Sequence, residues 1–198
     1  PEKLADSIRL ILDLCEPHEL GQVKLHKVLY YSDMLMYLWT GAAITGATYR
    51  KRPFGPTCDA LLHSLTSLER SGEIKIDEVD FFGHKKRQFE KVRRVNSSTL
   101  SKAEIEAISE VVEFVCRKHT ASTISDFSHD IVWDSVEFGQ DIPYHSALAW
   151  IPSNEAEAVG DWADEAVSAC VNSGWQGAGG AVESRSRGTL RERMALRT

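Results

Sequence analysis

One short cluster of side chains has the types and spacing that catalysis or metal binding requires. Asp126, His129 and Asp130 form a D-x-x-H-D pattern, and a helical spacing would place Asp126 and His129 on one face. A carboxylate beside an imidazole can orient the ring as a general base or as a metal ligand. However, no second ligand lies nearby in the sequence, and such polar groups also close helix ends. We favour this structural role and predict no catalytic residue, metal or cofactor.

The four cysteines lie far apart, at positions 15, 58, 116 and 170, and none forms a CxxC pair. This spacing argues against a zinc ribbon or a disulfide framework and favours a reducing, cytoplasmic compartment. Cys58 follows Pro56 closely, and a place in the first turn of a helix would lower the pKa of its thiol. A buried, structural cysteine is the alternative that we favour.

A basic segment runs from His84 to Arg94 and has a single acidic residue, Glu90. Its basic side chains are Lys85, Lys86, Arg87, Lys91, Arg93 and Arg94. Such a patch could contact phosphates or an acidic protein surface. It could also be a solvated edge strand, in which lysines prevent aggregation. The sequence leaves these interpretations open.

The composition indicates a globular protein with additional C-terminal segments. The chain has 198 residues, 42% hydrophobic and 26% charged, and no apolar run is long enough to cross a membrane. Residues 151–173 carry five acids and no lysine or arginine, whereas residues 174–198 carry five arginines and two glutamates. We therefore predict a domain at 1–150, an acidic helix at 151–173 with Trp162 on its apolar side, and a flexible Gly/Arg-rich tail at 174–198.

A long apolar helix is the predicted centre of the first domain. Val23–Trp39 is apolar on most sides, which predicts neighbours on several faces, while Lys24, His26 and Lys27 are expected near water. Around it we predict helices at 2–14, from Pro56 to Gly72, at 101–118 and at 121–128, a short strand within 44–52, and a β-hairpin within 74–92. The predicted fold is mainly α (α+β), with a buried helix at about 23–40 and a small antiparallel hairpin.

This order of elements also invites comparison with a winged helix. In that arrangement the third helix would enter the DNA groove. It contains Asp59 and Glu69, and Arg70 is its one basic residue apart from histidine. These residues make a poor recognition helix, so DNA binding is the weaker hypothesis.

Five motifs in order resemble those of one known family. They are K-L-H-K-V-L-Y-Y at 24–31, G-x-x-I at 41–44, F-G-P at 54–56, S-D-F-S-H-D-x-x-W at 125–133 and G-x-x-I-P-Y at 139–144. Together they resemble the Panacea domain, the SocA-like antitoxin family first described as phage-associated proteins. The resemblance covers roughly residues 5–150 and does not reach the two C-terminal segments.

The resemblance implies a mostly helical domain that acts as the antitoxin of a bacterial type II toxin–antitoxin system. Such a protein neutralises its toxin by direct binding, and one relative also delivers the toxin to a protease. The implied partners are a cognate protein toxin and a protease such as ClpXP. The alternative is an autoregulator that binds promoter DNA through the hairpin. No membrane partner is implied.

The motif positions are expected to form the scaffold and not the toxin contact. This scaffold set comprises Leu25, Leu29, Tyr30, Gly55, Pro56, Ser128, His129 and Trp133. Exposed aromatic and basic side chains are the usual anchors of protein interfaces. The candidate partner-binding residues are therefore Tyr49, Phe81, Phe82, Lys85, Lys86, Arg87, Arg93 and Trp162.

Overall fold

The structure, a computed structural model, describes residues 2–81, 83–93 and 99–151. The chain divides into two compact units, residues 1–147 and 148–198. The helices and strands of the described residues lie in the first unit, except that a final 3₁₀ helix, Tyr144–Trp150, crosses the boundary. The predicted helix at 151–173 and the predicted tail at 174–198 lie outside the described residues, apart from Ile151.

The fold is mainly α, as predicted, and it has a second two-stranded antiparallel sheet in addition to the predicted hairpin. In chain order the elements are α1 (Glu2–Leu14), α2 (Gln22–Thr40), β1 (Tyr49–Arg50), β2 (Thr57–Cys58), α3 (Leu61–Arg70), β3 (Ile74–Phe81), β4 (His84–Lys91), α4 (Lys102–Val112), a π-helix (Glu113–Arg117), α5 (Ala121–Phe127), α6 (Ile131–Asp134) and the 3₁₀ helix. One sheet pairs β1 with β2, and the other pairs β3 with β4.

Helix α2 lies at the centre of the first unit, which confirms the main prediction. Every residue from 24 to 36 is buried, and the helix contacts α1, α4, α5, β2 and β4. It ends where Gly41 adopts a φ of 75° and donates its N–H to the Tyr37 carbonyl at 2.8 Å. Glycine suits this left-handed position because it has no Cβ to clash with the backbone. Among the described residues, no helix combines the length and apolar character that a membrane span requires.

The first turns of α2 differ from the prediction, because Lys24, His26 and Lys27 are buried and not near water. Each side chain has a partner that lies far away in sequence. Lys24 Nζ donates to the Cys116 carbonyl at 2.8 Å, and His26 Nδ1 accepts from the Cys58 N–H at 3.1 Å. Buried polar groups are tolerated when they form such hydrogen bonds, so these three residues join α2 to its neighbours.

The region around Pro56 also differs from the prediction. Helix α3 begins at Leu61, so Pro56 does not start it, and the strand predicted within 44–52 is limited to Tyr49–Arg50. Thr57 and Cys58 instead pair with Arg50 and Tyr49. The backbone between Pro56 and the helix is thereby held extended, which outweighs the preference of proline for a first helical turn.

A buried carboxylate joins α2 to the segment before β1. Asp33 is 0% exposed and accepts hydrogen bonds from the Thr45 N–H at 2.8 Å, from the Thr45 hydroxyl, and from the Tyr49 hydroxyl at 2.7 Å. Burial raises the pKa of Asp33, and the donated hydrogen bonds oppose that shift because they stabilise the ionised form. These bonds place the chain so that Lys51 and the following corner meet α5 and α6.

Helix α4 begins at the capping box predicted from Ser101 and Glu104. The Ser101 hydroxyl accepts from the Glu104 N–H at 3.3 Å, and the Glu104 carboxylate accepts from the Ser101 N–H at 2.7 Å. Both otherwise unpaired N–H groups thus gain acceptors. The helix continues into the π-helix, and α2 contacts both of them.

Candidate functional site

A sharp corner, Arg52–Pro56, brings together the scaffold residues of the first and second halves of the sequence. The Gly55 N–H donates to the Arg52 carbonyl at 2.9 Å, which closes a turn. Lys27, from the first turns of α2, reaches this turn, and its Nζ donates to the Phe54 carbonyl at 2.5 Å and to the Pro56 carbonyl at 3.0 Å. A single buried side chain therefore satisfies two carbonyls of the corner.

Gly55 allows the corner to approach α5. Its φ is +85°, and a Cβ built there would lie 2.0 Å from Ser128 Oγ and 2.7 Å from Lys27 Nζ. The Ser128 hydroxyl in turn donates to the Ser125 carbonyl at 2.7 Å, at the end of α5. Glycine is required here for two independent reasons, namely its backbone conformation and the missing side-chain volume.

Burial changes the protonation of the residues around this corner. Lys27 is 1% exposed, and desolvation lowers its pKa to about 7. A neutral amine still has two N–H bonds, which is the number that the two carbonyls accept. Burial likewise lowers the pKa of His26 to about 4, so this ring is neutral at pH 7 and accepts through Nδ1.

Cys58 lies in β2 beside His26 and is not the activated thiol that a helix N-terminus would produce. Its burial raises the pKa of the thiol to about 11, so it is protonated at neutral pH. The interpretation of Cys58 as a reactive thiolate is wrong, because desolvation outweighs the hydrogen bonds from the Ala60 and Leu61 N–H groups, which by themselves lower the pKa.

The S-D-F-S-H-D-x-x-W motif forms the other side of the corner. Asp130 caps α6, since its carboxylate accepts from the Val132 N–H at 2.9 Å and the Trp133 N–H at 3.0 Å. The rings of His129 and Trp133 lie 4.2 Å apart at an interplanar angle of 31°. His129 Nε2 and Trp133 Nε1 are buried, and neither has a hydrogen-bond partner within the part of the chain that the structure describes.

Trp133 also holds the lysine that precedes the corner. Lys51 Nζ lies 4.0 Å from the centre of the Trp133 ring and 5.4 Å from that of Phe138, and donates to the Val136 carbonyl at 2.9 Å. A cation over an aromatic face gains about 1 to 2 kcal/mol when it is desolvated, and Lys51 is only 8% exposed. This contact fixes the segment after α6 against the residue that precedes the corner.

The D-x-x-H-D cluster is therefore divided among separate tasks. Asp126 is exposed, His129 stacks on Trp133, and Asp130 caps a helix. In the described ranges no three or more His, Cys, Asp or Glu side chains are grouped so that they could hold a metal ion. The geometry of these residues is that of a structural joint between the corner, α5 and α6.

The scaffold residues of α2 lie in the core. Leu25, Leu29 and Tyr30 are each at most 1% exposed, and Tyr30 packs edge-on against Tyr49 at a centroid distance of 5.3 Å. Tyr49 itself is 1% exposed and donates to Asp33. The prediction that Tyr49 is an exposed residue that contacts a partner is wrong, because its ring and hydroxyl are enclosed in this core.

The basic hairpin carries less net charge than the sequence of its second strand suggests. The register places Glu78 opposite Arg87, Asp80 opposite Lys85 and Lys75 opposite Glu90. Together β3 and β4 contain five lysine or arginine residues and four acidic residues, a net charge of +1 apart from histidine. The arm is close to neutral, which does not favour phosphate binding.

Several of its basic side chains also hold the hairpin to the body of the protein. Lys86 Nζ donates to the His18 carbonyl at 2.6 Å, and Lys91 forms an ion pair with Asp13 of α1. Lys85 remains largely solvent-exposed, with 80% of its side chain accessible. Arg87 and Arg93 are exposed as well. The side chain of Phe81, and Phe82, Arg94 and Trp162 as a whole, lie outside the described residues.

Three large apolar side chains near the joint were not predicted as candidates. They are Phe54 in the corner at 70% exposure, Ile131 in α6 at 62%, and Phe138 at 62%. In the sequence, Phe54 directly precedes Gly55, the residue that approaches Ser128. Three residues before Phe54 is Lys51, which contacts Trp133 and Phe138. We call these three residues the apolar face, a name that groups them by their exposure and by their places in the corner, in α6 and after α6. The F-G-P motif could have indicated the exposure of Phe54, because a phenylalanine in a turn of glycine and proline has little local structure to bury it.

We expect Gly55→Ala to destabilise the first unit by about 3 kcal/mol or more, because strain at positive φ adds to a clash with Ser128. The matched control is Gly72→Ala, where φ is +71° but nothing lies within 4 Å of the added Cβ. That control should cost about 1 kcal/mol. Urea denaturation compares the two, and equal losses would show that the corner does not require the missing volume.

We expect the free energy of unfolding to rise by about 1 to 2 kcal/mol from pH 7 to pH 8.5 through Lys27. In this window the unfolded chain keeps Lys27 protonated, whereas the folded chain releases the proton above a pKa of about 7. Lys27→Met removes this titrating group, so the free energy of unfolding of the variant should rise less with pH. Urea denaturation at each pH gives the free energy of unfolding of both proteins. The difference between the two values cancels the contributions of other titrating groups such as Cys116. Parallel curves would contradict a lowered pKa.

Comparison with known proteins identifies the family. The family model described as "Antitoxin SocA-like, Panacea domain" matches residues 25–134, more than half of the chain. This range begins in α2 and ends in α6, so it contains the corner, Ser128, His129 and Trp133. No curated protein and no solved structure matches the chain significantly. The chain belongs to the SocA-like antitoxin family, whose members share the Panacea domain.

Proposed function

We propose that this protein is an antitoxin that neutralises a partner protein toxin by binding it directly, without catalysis of its own. Membership of the antitoxin family supports the general role. The observation that carries the binding mode is the exposure of the three large apolar side chains of the apolar face, and we take them to form one binding surface.

The apolar face has the character of a protein interface. Phenylalanine is enriched at interface cores, and apolar anchors supply most of the free energy of association. The joint beneath the face is rigid, because Gly55, Lys27 and Ser128 hold the corner and the Lys51–Trp133 contact holds the segment after α6. Rigid anchors lose little conformational entropy on binding, which favours affinity.

The hairpin is the second surface that we consider. Lys85 and Arg87 project from β4 and are exposed. Because their cross-strand neighbours are Asp80 and Glu78, their charges are partly compensated in the free protein. We therefore assign the hairpin a secondary role, in which exposed charges influence the rate of association more than the affinity. Binding of promoter DNA and delivery of the toxin to a protease stay predictions.

We expect the double variant Phe54→Ser/Ile131→Ser to bind the toxin on the order of 30-fold more weakly and to lose protection of growth. The toxin to be used is the protein encoded by the reading frame next to this chain, and the measurement is isothermal titration calorimetry. The matched control is Leu62→Ser/Val92→Ser, which removes two side chains of similar exposure, 56% and 62%, outside the apolar face. A third variant, Lys85→Glu/Arg87→Glu, tests the hairpin.

A second titration, in which the activity of the toxin is measured as the chain is added, tests direct neutralisation. Occlusion requires a fixed stoichiometry, so toxin activity should end when the chain reaches equivalence. Neutralisation by a tenth of an equivalent or less would contradict binding as the mechanism and would indicate catalysis. If only the hairpin variant loses affinity, the protein still acts by binding its toxin. The site of binding is then the hairpin and not the apolar face.

A further inference from the structure

Two buried cysteines of the first unit lie in direct contact although they are 101 residues apart in sequence. Cys15 follows the last turn of α1, and Cys116 lies in the π-helix. Their Sγ atoms are 3.4 Å apart, within hydrogen-bonding distance for sulfur. Neither residue has a role in the corner, in the apolar face or in the hairpin.

We propose that Cys15 and Cys116 are a redox pair that forms a reversible disulfide when the protein meets a peroxide. The two sulfur atoms must approach by a little over 1 Å to reach bonding distance. Cys15 lies at a helix end next to Glu16 and Pro17, where the helical hydrogen bonding stops. Cys116 lies in a π-helix, a local irregularity that occurs frequently at functional sites.

The surroundings distinguish the roles of the two sulfur atoms. The Cys15 thiol donates to Cys116 Sγ, and Lys24 Nζ donates to the Cys116 carbonyl at 2.8 Å. The hydrogen bond from Cys15, with Lys24 nearby, lowers the pKa of Cys116, whereas the pKa of Cys15 is raised. Because the thiolate is the nucleophilic form, Cys116 reacts first. Both residues remain slightly accessible, at 9% for Cys15 and 5% for Cys116, which suits a small oxidant such as hydrogen peroxide.

The reaction has two steps. The Cys116 thiolate attacks one peroxide oxygen, so that an S–O bond forms, the O–O bond breaks and hydroxide leaves. The Cys15 sulfur then attacks the resulting sulfenic acid, forming the S–S bond, while the S–O bond breaks and a second hydroxide leaves. The protons from the two thiols convert the hydroxides into two water molecules. The two thiols lose two electrons, and the peroxide accepts them.

The disulfide would tie the end of α1 to the π-helix, beside the connection on which the hairpin rests. That connection contains His18, whose carbonyl accepts from Lys86 of β4. A covalent link across a long stretch of chain restricts the unfolded state, so the oxidised protein should melt at a higher temperature than the reduced protein. A thiol reductant such as dithiothreitol should restore the original melting temperature.

The test is treatment of the full chain with hydrogen peroxide, followed by mass spectrometry under non-reducing conditions. We expect the intact mass to fall by about 2 Da, and trypsin to release a linked pair of peptides, residues 10–24 and 103–117. Cys15→Ser and Cys116→Ser should each abolish this product. Cys58→Ser and Cys170→Ser are the matched controls and should retain it.

Three outcomes would overturn the proposal. They are an unchanged mass, a gain of about 16 Da per added oxygen without a linked peptide pair, and a linked pair that contains Cys58 or Cys170. The single serine variants need not be perfectly stable for this test, because the unmodified chain by itself yields the linked pair or does not. The result does not depend on the identity of the toxin, so it fails or succeeds independently of the proposed function.

Discussion

The close approach of the backbone at Gly55 to Ser128 is the constraint on which the rest of the first unit depends. A corner between two short strands can meet the end of α5 only if one residue has no side chain and can adopt a positive φ. Lys27 then satisfies the carbonyls on both sides of that residue, so the central helix holds the corner in place. The corner positions Lys51, and Lys51 in turn contacts Trp133. A sequence of local contacts thus connects α2, the corner, α5 and α6.

The residues that carry the family resemblance are largely those of this joint and of the core around α2. The positions that carry the resemblance are mostly buried and serve the scaffold, whereas the side chains that remain exposed lie around them. An apolar side chain such as Phe54 costs little to change in the folded state, because it is already in water. A change at Gly55 affects the arrangement of every element that meets there. Phe54 is itself part of the F-G-P motif, so this residue of the apolar face carries the resemblance together with the joint.

The sequence was informative where a local pattern decides the structure. The apolar character of Val23–Trp39 predicted a central helix, and Ser101 with Glu104 predicted the start of α4. Local patterns failed where distant partners decide. Nothing near Lys27 in the sequence indicates the two carbonyls that accept from it, and Pro56 favoured a helix that strand pairing with Tyr49–Arg50 prevents. Burial of Tyr49 depends in the same way on Asp33, sixteen residues away.

The near-neutral hairpin could have been predicted in part. Once Gly83 is taken as the turn, the register follows, and Asp80 and Glu78 come to lie opposite Lys85 and Arg87. The apolar face was harder to predict, because exposure of Phe54, Ile131 and Phe138 results from how the corner and α6 end in space. Exposure of an apolar residue is a property of the tertiary structure, and sequence patterns indicate burial more readily than its absence.

Amide hydrogen exchange of the chain with and without the toxin locates the binding surface without any substitution in the joint. If the apolar face binds the toxin, peptides that cover residues 50–56 and 130–140 gain protection, while α1 and α3 change little. Protection confined to β3 and β4, with these two segments unchanged, would contradict this assignment.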